Sequence, residues 1–550
     1  MSFHLTFSNS ARNAGGGGGG PIPPLMGFVA SGHFVSAKVP MMLIYPRPDS
    51  ETGTFSTTTA RHRLAYYDGT NNVQFECPIG IHGGARQFVY QIVAGPSWLN
   101  IGQVYGSSLY GVLYGTPTSA ISKSSPATVI VRVWDQDLNH IDVTFTLATS
   151  SSTADFIFVD AIHGSDAGNG TYGSPFQTYA PVMGTALSST TFPGARVYHF
   201  GGNTSSHAYQ WTAQTSTGIT GGRAVDKTKI PCCYLGLPGT GNVYIDASVA
   251  QLYDTGGGWD DGYFAGSAAD RMTINGSSAT AADTHTFELY SCNRFTWDNI
   301  DFTNPLNVAN GSLTNSTSTF AFNNGSGSGV PGKNYWYMHN CTESGRSGSA
   351  SNSMLLLSWF SVFGGLVEGC SAVGTCGFGV YFKDSNIDCE FTNGLVELQP
   401  DSSTDGDAML IGGQQGESPP VTTQNCIVSY TFVRGGAIKL DFQSGTLAKN
   451  LYSVRNTVYR TDTNEIYAIG QNGGAGPYFS DSDVLIARGS NVVGSGITAT
   501  NTEVQSAWIS GGPPPSNCPI NVSTGALVDS TTLWKTLYSK TAQSRGWEYG

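Results

Sequence analysis

The stretch VELQPDSSTDGDAMLIGG, residues 396–413, gathers Glu397, Asp401, Asp405 and Asp407 within one short run. Clustered carboxylates of this kind suit cleavage of a glycosidic bond. One acid protonates the leaving oxygen while the other acts on water or on the sugar carbon. Asp405, Asp407 and Glu397 are therefore the candidate catalytic residues, set against the alternative of a polar turn, where Asp and Gly belong in any case. A second cluster, GGGWDDGYF, holds Trp259, Asp260, Asp261 and Tyr263. Aromatic faces stack on sugar rings and neighbouring acids bind hydroxyls, so these four are the candidate substrate-binding residues. The alternative is a glycine-rich surface turn anchored by its Trp. A third set is a column: Asp298, His339 and Glu368 each stand two residues before an Ile or Cys in successive repeats, and Ile387 breaks the series. If these repeats stack as strands, acid, imidazole and acid lie about 5 Å apart.

Metal chemistry has less support. Asp160, Asp166 and Asn169 in FIFVDAIHGSDAGNGTYGSPFQT lack the regular acidic spacing of a calcium loop. The ten cysteines form no C-x-x-C pair and no Cys/His spacing that suits zinc. They are also too sparse for a disulfide scaffold, and the adjacent Cys232 and Cys233 read as buried thiols. No metal and no cofactor is expected.

Composition bounds the partners. The chain has 550 residues, a net charge of −12 and only 12% charged residues, so a nucleic-acid partner, which needs clustered Lys and Arg, is not expected. No run approaches the roughly 18 apolar residues of a membrane span, and the first residues have neither a basic nor a long apolar segment of an export signal. With 71 Gly and abundant Ser, Thr and Asn, the expected class is all-β, with many short strands joined by turns.

The elements that must position the acids fall into four parts. Residues 1–60 form an N-terminal arm whose six consecutive glycines, Gly15 to Gly20, make a flexible joint. Residues 61–150 alternate apolar and polar positions between Gly-Pro and Thr-Pro turns, the pattern of a β-sandwich. Residues 151–500 repeat strand, turn, strand, aligned on Asn299-Ile300, Asn340-Cys341, Gly369-Cys370, Asp388-Cys389, Asn425-Cys426 and Asn456-Thr457. The first member of each pair tolerates left-handed backbone and the second is small enough to stack inward. Such spacing fits a solenoid with insertions on one face. The polar run from Gly311 to Lys333 reads as one of these, and residues 501–550 remain as a short C-terminal segment.

Three resemblances attach to these residues. Y-x-I-x-x-GP-x-WL-x-I, then G-x-L-x-GTPT, then a V-x-V-x-D…F-x-L hairpin resembles the Ig-like, cadherin-like modules of surface and virion proteins. The repeated pairs resemble the right-handed parallel β-helix of pectate lyases and phage tailspikes. In that setting, VD-x-x-x-GSD-x-G-x-GT-x-x-SPFQT is similar to a β-helix entry, residues 156–187, in which a capping helix over Pro175–Leu187 would follow. Ser403-Thr404-Asp405-Gly406 resembles the NTDG motif of polygalacturonases with Ser in place of Asn, and Ile438-Lys439 matches part of their RIK element. These resemblances imply a tailspike-like virion protein exposed on the particle. It would be a homotrimer, attached to other virion proteins through its arm, that recognises a host surface polysaccharide and hydrolyses it. The alternatives are a non-enzymatic adhesin or capsid-decorating fibre, and a secreted polysaccharide lyase.

Overall fold

The computed structural model describes residues 39–46, 63–104, 107–178, 196–210, 232–246, 252–254, 262–275, 287–290, 294–303, 320–323, 333–346, 354–360, 362–374, 378–383, 385–398, 407–412, 422–440, 447–459, 468–470, 476–481, 483–486, 493–494, 496–500, 503–505 and 520–521. From Phe156 onward the chain winds through three parallel sheets in turn, each strand pairing with the strand one coil later. Sheet A runs from Phe156–Val159 to Ile497–Thr500, sheet B from Tyr209–Gln210 to Ile520–Asn521, and sheet C from Leu252–Asp254 to Ile469–Gly470. This is a parallel β-helix, for which the right-handed sense is the one parallel crossovers adopt. The run 311–333 is not a plain insertion, because Phe320–Asn323 within it is a strand of sheet C.

Alternation sets the two faces of each strand. On sheet A, Tyr234, Phe264, Trp297, Met338, Val367, Phe391 and Val428 point inward and share one buried core with the inward residues of the other sheets. Their neighbours Asp298, His339, Glu368, Thr392 and Ser429 form the matching outward column, in register from strand to strand. Ile157, in the β-helix entry, lies in the same core, and Phe156–Val159 pairs with Arg196–Phe200 as the first rung. The loop after it is cinched by its own acids: Asp160 Oδ1 accepts from the amides of Ile162 and His163, and Asp166 Oδ1 from those of Gln177 and Thr178. At its end Phe176 forms a parallel bridge with Val159. The expected capping helix therefore does not begin at Pro175, since residues 175–178 are extended and bent, and its remaining residues lie outside the described residues.

The turns follow two ladders rather than one. Asn299, Asn340, Gly369, Asn393, Tyr430 and Arg455 occupy the bend from sheet A to sheet B, all with φ between 48° and 66°. Arg294, Tyr335, Gly364, Asp388, Asn425 and Asn450 occupy the bend that opens each sheet A strand, with φ between 52° and 75°. The alignment of pairs in the sequence therefore crosses from one ladder to the other between Gly369 and Asp388, and Asn456 lies one residue past its ladder. Side-chain amides link successive coils: Asn340 Nδ2 donates to Asn299 Oδ1 (2.5 Å), Asn425 Nδ2 to Asp388 Oδ1 (2.9 Å), and Asn450 Nδ2 to Asn425 Oδ1 (3.2 Å). The cysteines beside the bends are buried free thiols in two separate stacks, Cys341 with Cys370 and Cys389 with Cys426. Each thiol donates to the carbonyl two residues back, at 3.3–3.5 Å.

Asn425 joins both functions, left-handed backbone and a two-sided amide link. Asn425→Ala is expected to lower the unfolding free energy by about 2 kcal/mol, half from the backbone and half from lost hydrogen bonds. Asn425→Gly, which keeps the backbone at ease, should lose about half as much, as read by urea denaturation.

Residues 63–150 build a separate two-sheet module. Leu64–Tyr66, His140–Ser150, Ala127–Trp134 and Val89–Ala94 form one sheet in that order, and Phe75–Pro78, Val112–Gly115 and Asn100–Ile101 the other. Inward residues of both sheets, among them Cys77, Tyr90, Leu113, Val131 and Phe145, share one core. That core continues without a break into the outer face of sheet A, where Tyr263, Tyr337 and Leu366 meet Ile44, Tyr45, Ile79 and Ile81. Tyr45 stacks between Tyr263 and Tyr337 at centroid distances of 5.9 and 5.8 Å. Further along, Val39 packs on Ile427, Tyr452 and Val454. The module and the 39–46 segment thus roof sheet A.

Candidate functional site

Two groups of chemically capable side chains emerge, one beneath the roof and one in the open. Beneath it, the outward column of sheet A meets a Gly-rich turn of the module. Arg86 Nε lies 3.0 Å from Glu390 Oε1, and its Nη1 lies 3.1 Å from Glu368 Oε1, so one guanidinium spans two coils. Gly83, at φ +74° and with no room for a Cβ beside Pro40 O, donates its amide to Glu390 Oε2 at 2.9 Å. His82 Nδ1 stands 3.3 Å from the same oxygen. Tyr337 donates its hydroxyl to Glu368 Oε2 at 3.0 Å, and His339 Nδ1 to Asp298 Oδ1 at 2.8 Å.

Electrostatics holds these groups in defined states. Burial opposes ionisation of Glu390, yet Arg86 and His82 outweigh it and hold its pKa down to about 2. Burial likewise opposes a charged His339, and the carboxylates of Asp298 and Glu368 outweigh that and raise its pKa. Arg86 is raised for the same reason by Glu390 and Glu368, against the burial that disfavours its charge. The column of acid, imidazole and acid is therefore real, but Glu368 is taken by Arg86 of the module, Asp298 by His339 and Tyr263, and all three are shut away from solvent. Its chemistry is that of a clasp.

The open group lies on sheet B. Asp301, Thr342 and Ser371 stack outward on successive coils and are half-buried, as are Glu397 and Arg434 further along. Thr342 Oγ1 donates to Asp301 Oδ1 at 2.6 Å, Arg271 Nε to the same oxygen at 2.8 Å, and Arg271 Nη2 to Asn340 O at 2.8 Å. Arg434 Nη1 donates to Glu397 Oε1 at 3.0 Å. The face thus offers charged and hydroxyl groups at the spacing of successive strands, about 4.8 Å.

Glu397 stands on Leu395–Leu398 of sheet B, and Asp407 opens the sheet C strand Asp407–Ile411. Residues 399–406, which join these two strands, lie outside the described residues. Asp405 and Asp401, like Trp259, Asp260 and Asp261, lie outside the described residues. Tyr263 is a correction: it is 2% exposed, stacked against Tyr45, with its hydroxyl 3.4 Å from Asp298, so it serves the roof and is not an open sugar platform. Arg86, His82, Arg271 and Arg434 were not singled out from the sequence. Only the first two carried a signal there, as polar residues in the IHGGAR turn of an apolar stretch. Among the described residues no group of three or more His, Cys, Asp or Glu is placed to hold a metal.

No family model matches the chain, and no curated protein matches it. Among solved structures, the native lacto-N-biosidase of family GH136 from Eubacterium ramulus is 14% identical, with a TM-score of 0.32 over 64% of this chain and 64% of its own. The selenomethionine derivative of that protein is 12% identical, with a TM-score of 0.29 over 64% of this chain and 68% of its own. The family 28 exopolygalacturonase of Yersinia enterocolitica is 9% identical, with a TM-score of 0.33 over 82% of this chain and 96% of its own. Likenesses at this level place no activity on the chain. The parallel β-helix rests on its own strand pairings.

Proposed function

We propose that the protein is a tailspike-like virion component that lays an extended host-surface polysaccharide along sheet B and hydrolyses it. The observation that carries this reading is the half-buried outer face of sheet B, where Asp301, Thr342 and Ser371 stack on three coils and Glu397 and Arg434, two positions further along the strand, on the next two, beside a sheet A that is roofed. A linear, hydroxyl-rich polymer matches a face whose donors and acceptors recur once per coil. Hydrolysis then draws on Glu397 together with Asp405 or Asp407, one carboxyl as acid and the other as base or nucleophile. The strand order of the module, with its first strand beside its last, supports an Ig-like reading. In this reading residues 1–60 attach the protein to other virion proteins and three copies associate.

The adhesin reading also has an observation in its favour, since Glu397 already accepts from Arg434 and that pair is equally suited to holding a sugar. Purified protein incubated with host capsule or lipopolysaccharide decides between them. Shortening of the glycan with new reducing ends, reduced at least a hundredfold in Glu397→Gln and in Asp405→Asn or Asp407→Asn, is the expected result. Binding without shortening makes the protein an adhesin. Shortening that survives all three changes removes these acids from the mechanism.

A further inference from the structure

The contact between the two-sheet module and sheet A carries more ionisable groups than a permanent apolar interface needs. The module brings Arg63, His82 and Arg86 to it, together with Glu76. Sheet A and its turns bring Asp298, His339, Glu368 and Glu390, with Asp270 beside them. Glu76 is the telling member. It stands on Phe75–Pro78 of the module, yet its Oε2 accepts the amide of Ala268 in the solenoid at 2.9 Å. Gln74 donates to its other oxygen at 2.7 Å, and Ser108 Oγ reaches Ala268 O at 3.3 Å to close the same corner. Docking therefore brings a module carboxyl into the field of two solenoid carboxyls, Asp298 and Asp270. His339 and Asp298, 2.8 Å apart, are register neighbours within sheet A itself.

We propose that this contact is a proton-linked clasp, closed in mildly acidic solution and progressively released as the solution turns alkaline. Its key is Arg86 and its proton-taking group is Glu76. In the docked state, burial first and then the charges of Asp298 and Asp270 raise Glu76 from its ordinary 4.5 to about 7. Docking thus takes up a proton, and the resulting stability is full below 4.5 and lost as pH rises through about 7. His339 takes its raised pKa from Asp298 and Glu368 on its own sheet, which flank it whether or not the module is docked. Glu390 has the opposite sense, losing its contribution only as pH falls from 4.5 through about 2, so it stays constant across the neutral range. From Glu76 alone the docking equilibrium falls about tenfold between pH 6 and pH 8.

Two amides report the clasp directly, those of Gly83 and Ala268, each donating across the contact. Hydrogen exchange of the full chain at pH 6 and pH 8, corrected for the intrinsic rate at each pH, measures their protection. The expected result is about a tenfold fall for both amides, while Val131 and Val143 in the module core stay protected. In Glu76→Gln the fall disappears. Protection that does not change with pH, or an undiminished fall in Glu76→Gln, overturns the proposal. So does loss in step with Val131 and Val143, because that reports unfolding of the module rather than its release.

Discussion

Arg86→Ala is expected to lower the unfolding free energy by about 3–5 kcal/mol, the usual result of stranding buried carboxylates without their cation. Arg86 is 5% exposed and faces Glu390, 1% exposed, and Glu368, 8% exposed, so solvent cannot take over the lost contacts. The loss belongs to the stranded acids more than to the attraction itself. Arg86→Met combined with Glu368→Gln and Glu390→Gln should therefore recover more than half of it. Chemical denaturation of the single and triple variants gives both numbers. A single-variant loss under about 1 kcal/mol would mean that the apolar roof around Tyr45 alone holds the module.

Trp297→Ala should cost a similar amount, about 3–5 kcal/mol, through the cavity it leaves. Trp297 is fully buried, stacked on Phe295 at 4.2 Å, with Phe264 and Met338 in register on the coils either side. The distribution of the damage is the sharper expectation. A solenoid coil touches only its neighbours, so the loss should stay local. Hydrogen exchange should show weakened protection across Tyr263–Ala265, Thr296–Asp298 and Lys333–His339, with Leu451–Val454 unaffected. Uniform weakening along the chain would instead mark the solenoid as a single cooperative unit.

Much of the solenoid was legible because its turns demand a residue type. Asn299, Asn340 and Gly369 stand at left-handed bends where few other residues are at ease, and they placed Asp298, His339 and Glu368 correctly in one column. The alignment failed at the next coil for a chemical reason. Asp388-Cys389 and Asn393-Gly394 each offer a left-handed residue followed by a small one, five residues apart, and the former belongs to the other ladder. The true successor of Glu368 is Thr392, not Ile387. The roof was not legible at all. Arg86 and Glu390 are 304 residues apart in the chain, and no local pattern in either segment announces the other. Tyr263 was misplaced for the same reason, since an aromatic residue beside Asp260 and Asp261 reads alike whether solvent or a second module covers it.

The thiols set beside the bends have a consequence for where this chain can fold and last. A thiol exchanges or oxidises through its thiolate. Burial pushes Cys77 up to about 12 and holds Cys341 and Cys389 well above the ordinary range, while Cys233, Cys370 and Cys426 are equally enclosed. None of the six is joined to another by a disulfide. The part of the architecture they occupy has no covalent step to wait for and none to lose. At these six positions the fold rests on packing and hydrogen bonds, so a reducing agent has no cross-link there to break.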